Sequence, residues 1–126
     1  MTTATLHKAE RLSRQKVIDS LFAGGATSFS VFPLRVVYQP SDALEAQAAI
    51  LVSVSKRRFK RAVKRNRVKR QIREAYRLNK SLLLPALAAK ERQLAIAFIY
   101  ISDKLLPSDL IEERMKSALC RIAENL

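Results

Sequence analysis

Apolar positions change their period several times along this 126-residue chain, and each change marks a predicted element. Between residues 9 and 22, Leu12, Ile18, Leu21 and Phe22 fall near one helical stripe, which Gly24-Gly25 ends. Thr27 to Gln39 reads as extended, because Phe29, Val31, Phe32, Val36, Val37 and Tyr38 favour strand. Pro33 marks an edge or a bulge that splits this run into two short strands. Pro40-Ser41-Asp42 reads as a turn, and 43–47 holds helix-forming residues in a connection. Ala48 to Ser55 is a strand with Ile50, Val52 and Val54 on one face and the smaller, more polar Leu51, Ser53 and Ser55 on the other. Arg61 to about Asn79 is a helix roughly 28 Å long at about 1.5 Å per residue, with an apolar stripe of Val68, Ile72 and Tyr76 and Ala75 beside it. Pro85 forces a break after it. Leu94 to Ile101 is a second clear strand, with Leu94, Ile96, Phe98 and Tyr100 on its bulkier face. Pro107 suits the first turn of a last helix through Asn125, whose buried stripe is Ile111, Met115, Ala118, Leu119 and Ile122. This order predicts an α+β fold: a small two-layer sandwich, with a three- to four-stranded sheet covered by helices mainly on one face. The opposite face stays open, lined by Ser53, Ser55, Ala95 and Ala97.

The length suits one domain over 1–126, with 1–8 as a flexible end. An apolar content of 48% is enough for a core and too high for a disordered basic tail. No segment reaches the roughly 18 uninterrupted apolar residues of a membrane span, and the first fifteen residues lack the apolar stretch of a secretory signal. One cysteine, Cys120, cannot form an internal disulfide and fits a reducing cytoplasm. The charge changes the picture most. Lys56, Arg57, Arg58, Lys60, Arg61, Lys64, Arg65, Arg67, Lys69, Arg70 and Arg73 put eleven cations and no anion between positions 56 and 73. Subtracting eleven from the net +13 leaves +2 for everything else. A patch so dense repels itself unless a polyanion lies against it. Nucleic acid is the commonest, because each neutralised phosphate releases counterions.

Catalytic groups of the chain's own are hard to find. His7 is the only histidine and belongs to the frayed end. No Cys/His cluster offers a metal site, and no glycine-rich phosphate loop is present. Glu45, Glu91, Glu112 and Glu113 are scattered over predicted surface. Cys120, beside Leu119 in the last helix, reads as a packed, inert thiol. What remains is a binding surface. Lys69, Arg73 and Arg77 recur every four residues, and Lys64, Arg67 and Arg70 every three, so cations flank the Val68/Ile72/Tyr76 stripe on both sides. Like charges at such spacing weaken an isolated helix by a few tenths of a kcal/mol per pair, and they lack the interleaved acids of an ordinary solvated face. Asn66 adds an amide that both donates and accepts, suiting a phosphate, a 2′-hydroxyl or a metal-bound water. Such a helix fits a DNA major groove. An open sheet face with Phe22, Phe29, Phe32 and Tyr38 nearby suits a single strand better, although each aromatic taken alone reads more readily as a packing residue. A structural RNA-binding protein, such as a ribosomal protein or an RNA chaperone, and a duplex-DNA binder are the competing readings.

The residues Ser53-Val54-Ser55-Lys56, Ala62-Val63, Arg65-Asn66-Arg67, Lys69-Arg70 and Arg73-Glu74 resemble the signature segment of the bacterial ribonuclease P protein subunit. Arg11-Leu12, Phe22 shortly before Gly25, and Pro33-Leu34-Arg35 extend the resemblance over roughly residues 10 to 122. The resemblance implies a left-handed β-α-β crossover through the basic helix, where residue patterns alone lead to the usual right-handed one. It implies two partners, a catalytic RNA and the 5′ leader of precursor tRNA, with no obligate protein partner and no membrane. It also implies that Mg²⁺, held mainly by the RNA, does the phosphodiester hydrolysis, so the protein contributes no catalytic residue to this endoribonuclease. Carried over residue by residue, the RNA-binding set is Lys56, Lys60, Lys64, Arg65, Asn66, Arg67, Lys69, Arg70 and Arg73. The leader-cleft set is Arg11, Phe22, Tyr38, Ser53 and Ser55, in a cleft between the first helix and the open sheet face. Two positions depart from the family pattern: Ile18 replaces a frequent phenylalanine, and Tyr100-Ile101-Ser102 lacks the arginine that often follows the last strand.

Overall fold

Strand-forming β-branched and aromatic residues and helix-forming charged segments separate along the chain much as their periods predict. The computed structural model describes residues 8–42 and 44–126. The flexible end expected over 1–8, apart from Lys8, and the placement of His7 and Ala43 lie outside the described residues. Four strands, β1 (Thr27–Val31), β2 (Leu34–Pro40), β3 (Ala48–Ser53) and β4 (Leu94–Tyr100), form one sheet in the order β1-β2-β4-β3. β1 and β2 form an antiparallel hairpin turning at Phe32 and Pro33, and β2 pairs antiparallel with β4. β3 pairs parallel with β4, a pairing that needs a long crossover. That crossover contains α2 (Ala62–Asn79) and the short α3 (Leu84–Ala89). α1 (Gln15–Phe22) precedes the sheet and α4 (Ser108–Glu124) follows it.

Side-chain parity divides the sheet into two faces. Leu34, Val36, Ile50, Val52, Leu94, Ile96, Phe98 and Tyr100 point to one side, where Val68, Ile72 and Tyr76 of α2 and Ile111, Met115, Leu119 and Ile122 of α4 complete the main core. Val68, Ile72 and Tyr76 are fully buried, and Val68 and Ile72 each stabilise by about 1.5–3 kcal/mol relative to exposure. Val37, Ala49, Ala95 and Ala97 point to the other side, under Leu12, Val17 and Leu21. The small alanines let α1 sit close to the sheet. The face expected to stay open is therefore half covered: Ala95 and Ala97 lie beneath α1, and the part beyond it remains open.

Three local readings need correction. The helix expected over 9–22 begins only at Gln15; Lys8–Glu10 form a 3₁₀ turn, and Arg11 and Leu12 are extended along the outer edge of β3, with the Leu12 N–H donating to the Ile50 carbonyl at 2.8 Å. That backbone bond to a strand outweighs the weak helical pattern. The break expected from Pro85 is present: α2 ends at Asn79, and Pro85 sits in the first turn of the separate α3, where its missing N–H costs nothing. Cys120 is exposed, one step round α4 from buried Leu119. Tyr38 is buried on the helix-covered face, edge-on to Phe29 at 6.2 Å between ring centroids, and so lies outside any cleft on the opposite face.

Candidate nucleic-acid interface

The cation-rich segment is built from a loop and the first three turns of α2. The loop begins at Ser55, whose carbonyl accepts the N–H groups of Arg58 and Phe59, at 3.1 and 3.3 Å, and whose hydroxyl accepts the N–H of Arg57 at 3.0 Å. Phe59 is buried, its ring 6.0 Å from that of Tyr100. Arg58 pairs with Asp103 at 2.9 Å, and the Tyr100 hydroxyl donates to the Lys104 carbonyl at 2.6 Å. Around this anchored backbone Lys56, Arg57, Lys60 and Arg61 are exposed.

On α2 the exposed members of the expected set are Lys64, Asn66, Arg67 and Arg70. Lys69 and Arg73 are half-buried along one flank. Arg65 is also half-buried and turns back to the loop, its Nη1 donating to the carbonyls of Phe59 and Lys60 at 2.8 Å each. Arg77 pairs with Glu74. The N-terminus of α2 has no side-chain cap and no acidic residue in its first turn. Its N–H groups and the positive end of its dipole thus face the same side as the loop cations, an arrangement that favours an anion.

Arg11 was assigned to the cleft but lies at the β3 edge, where it lines a hollow of about 310 Å³ with Lys8, Leu12, Arg14, Leu44 and Ala49. Its charge reaches α2: partial burial, and then Arg11, hold the Arg73 guanidinium below its usual pKa. Arg11 therefore joins the flank of the helix surface. Ser53 and Ser55 do share a groove, of about 800 Å³, with Arg35, Arg57, Ile99 and Ile101. Phe22, in the last turn of α1, is 51% exposed and sits four residues beyond half-buried Ile18 on the same helical row. Arg35 and Arg57 were missing from the leader set. The alternation Leu34-Arg35-Val36 could have placed Arg35 on the groove side, since its neighbours are core residues. Among the described residues no cluster of three or more His, Cys, Asp or Glu side chains could hold a metal ion.

The family model for Ribonuclease P matches residues 6–121. A ribonuclease P protein component from Porphyromonas gingivalis (strain ATCC 33277) is 48% identical over 125 residues, covering 98% of this chain and 90% of its own. Its counterpart from Chlorobaculum tepidum is 36% identical over 133 residues, covering 98% and 84%. The solved structure of the RNase P protein from Thermotoga maritima shares the fold, with a TM-score of 0.71 at 19% identity over 89% of this chain and 96% of that one.

Proposed function

Because this chain belongs to the ribonuclease P protein family, we propose that it binds a catalytic RNA through the cationic side of α2 and its preceding loop, and the 5′ leader of precursor tRNA along the groove beside α1. The observation that carries the reading is the continuity of charge. Arg57 belongs both to the loop and to the groove, so a strand leaving the helix surface meets cations without a gap. The groove floor suits an unpaired strand, with Ile99 as an apolar bed, Ser53 and Ser55 as hydroxyl partners, and Arg35 and Arg57 for phosphates. Phe22, exposed on α1, offers a ring to a base of that strand, and buried Tyr38 has no part in the contact.

Among the described residues no side-chain cluster fits a resident Mg²⁺. Asp103, the carboxylate at the groove, is tied to Arg58, so the proposal leaves the hydrolytic ions to the RNA. In this division of labour the protein lowers the electrostatic cost of bringing two polyanions together and orients the leader. No helix among the described residues is long and apolar enough to cross a membrane, and the proposal places the protein with its RNA in the cytoplasm.

Reconstitution tests this. With a cognate bacterial catalytic RNA, the protein should stimulate leader removal from precursor tRNA at low Mg²⁺, and alone it should cleave nothing. If about five leader phosphates are neutralised, log K for leader binding falls with log salt at a slope near −3.5. The double variant Arg67→Ala/Arg70→Ala should cut stimulation by about tenfold or more, two charge-assisted contacts being lost. Undiminished stimulation would sink the role of α2. Copurification with ribosomes, with no effect on cleavage, would favour a purely structural RNA-binding protein.

A further inference from the structure

Arg65 stands apart from the other cations of α2. It lies three residues before Val68 and seven before Ile72, so it extends the buried stripe by one turn toward the helix N-terminus. Arg67 is two residues on, about 200° round the helix at 3.6 residues per turn, and is exposed. Nη1 of a guanidinium carries two hydrogens, and at Arg65 both have protein acceptors: the carbonyls of Phe59 and Lys60, each at 2.8 Å. Those carbonyls belong to the loop that displays Lys56, Arg57, Lys60 and Arg61. Without a tie, four exposed cations within six residues would drive the loop apart. A guanidinium near the positive end of α2 is also disfavoured by the helix dipole, and the two carbonyl dipoles compensate it.

We infer that Arg65 is a positioning residue, clasping the 55–61 loop to the first turn of α2, and not a phosphate ligand. The loop has four side-chain fastenings: the Ser55 cap, the Arg58–Asp103 pair, the Phe59 anchor against Tyr100, and this clasp, which ties it to a side chain of α2. It holds the loop cations in one arrangement before any RNA arrives. The inference deepens the proposed RNA-binding reading, but its first test is made on the protein alone.

Hydrogen exchange is measured on the whole chain without RNA, comparing wild type with Arg65→Met, which keeps the apolar stem and removes the donors. The amides of Arg57, Arg58 and Phe59 should exchange about tenfold faster or more, while the amide of Ala97 in β4 stays protected and reports an intact fold. Arg65→Lys, whose ammonium can still donate to both carbonyls, should restore most of the protection. Should R65M lose the fold, Arg65→Leu, which also lacks donors, is read in the same way. The second measurement is the salt dependence of binding to the catalytic RNA. R65M should weaken affinity with the slope of log K against log salt unchanged, whereas Arg67→Ala should reduce the slope by about 0.7 to 1, as loss of a phosphate contact does. Loop exchange at the wild-type rate in R65M, no recovery in R65K, or a reduced slope in R65M would each overturn the inference. Absence of RNA binding by the wild type would instead strike the proposed function and leave the exchange result to decide the clasp.

Discussion

Tyr76 carries its hydroxyl into the core with no hydrogen-bond partner among the described residues. Burial first, and the nearby Glu10 second, raise its pKa, so the group stays a neutral phenol throughout the physiological range. An unsatisfied buried hydroxyl costs about 1–3 kcal/mol. Tyr76→Phe is therefore expected to leave stability unchanged or raise it by about 1 kcal/mol, measured as the urea midpoint at constant m-value. A loss larger than about 1 kcal/mol would reveal a partner for the hydroxyl. The same strict view of single side chains separates Arg65 from Arg67. Two residues of one motif, both arginine, face different ways, and only a helical wheel centred on Val68 and Ile72 distinguishes them. Tyr38 teaches the same lesson on a strand. Its aromatic character suggested a stacking platform, yet Arg35 and Gln39 on the alternate positions already placed it with Leu34 and Val36 in the core.

At the scale of elements, α2 is held at both ends by polar ties that no periodicity announces. Its far end meets the 3₁₀ turn through Lys80, whose ammonium contacts both carboxylate oxygens of Glu10 at 2.9 Å. The two side chains are only 12% and 9% exposed. Removing one partner of such a pair weakens the compensation of a nearly buried charge. Lys80→Met alone is expected to cost about 3 kcal/mol, and adding Glu10→Leu should recover most of it. Chemical denaturation of the two single variants and the double variant checks this, and additive losses would contradict it. The strong elements were legible because their patterns were unambiguous. β3 and β4 alternate over six or seven residues, and α2 and α4 keep a helical stripe for about three turns. The ambiguous stretches were those whose state is set by a distant contact. Arg11-Leu12 fits a helical stripe as well as a strand edge, and the choice is made by the Ile50 carbonyl, 38 positions away. The connection at 44–47 is held by Gln93, whose amide donates to the carbonyls of Leu44 and Ala46 at 3.0 Å, again a tie between separated segments. Likewise the candidate surface was legible as a charge run, while its division into exposed, flanking and clasping members needed the packing of the loop on Tyr100.

For the molecule as a whole, a net charge of +13 on 126 residues makes the free fold work against its own field. Anions that bind the native state should stabilise it by linkage. Sodium sulfate at about 10 mM is expected to raise the thermal midpoint by several degrees, about 1–2 kcal/mol for a domain of this size, beyond sodium chloride at equal ionic strength. Equal midpoints in the two salts would argue against any specific anion site on the cationic surface. The two contact regions of the proposed function also share one backbone. On β4, Ile99 lies along the groove while its neighbours Phe98 and Tyr100 belong to the core, where Tyr100 carries the Phe59 anchor of the cationic loop. A single-residue insertion in that strand would invert every side chain beyond it, putting Tyr100 into the groove and Ile99 under the loop, and so dismantling both surfaces at once. A change of length that spares both surfaces would therefore have to fall in the connections, because the strand itself fixes the distance between them.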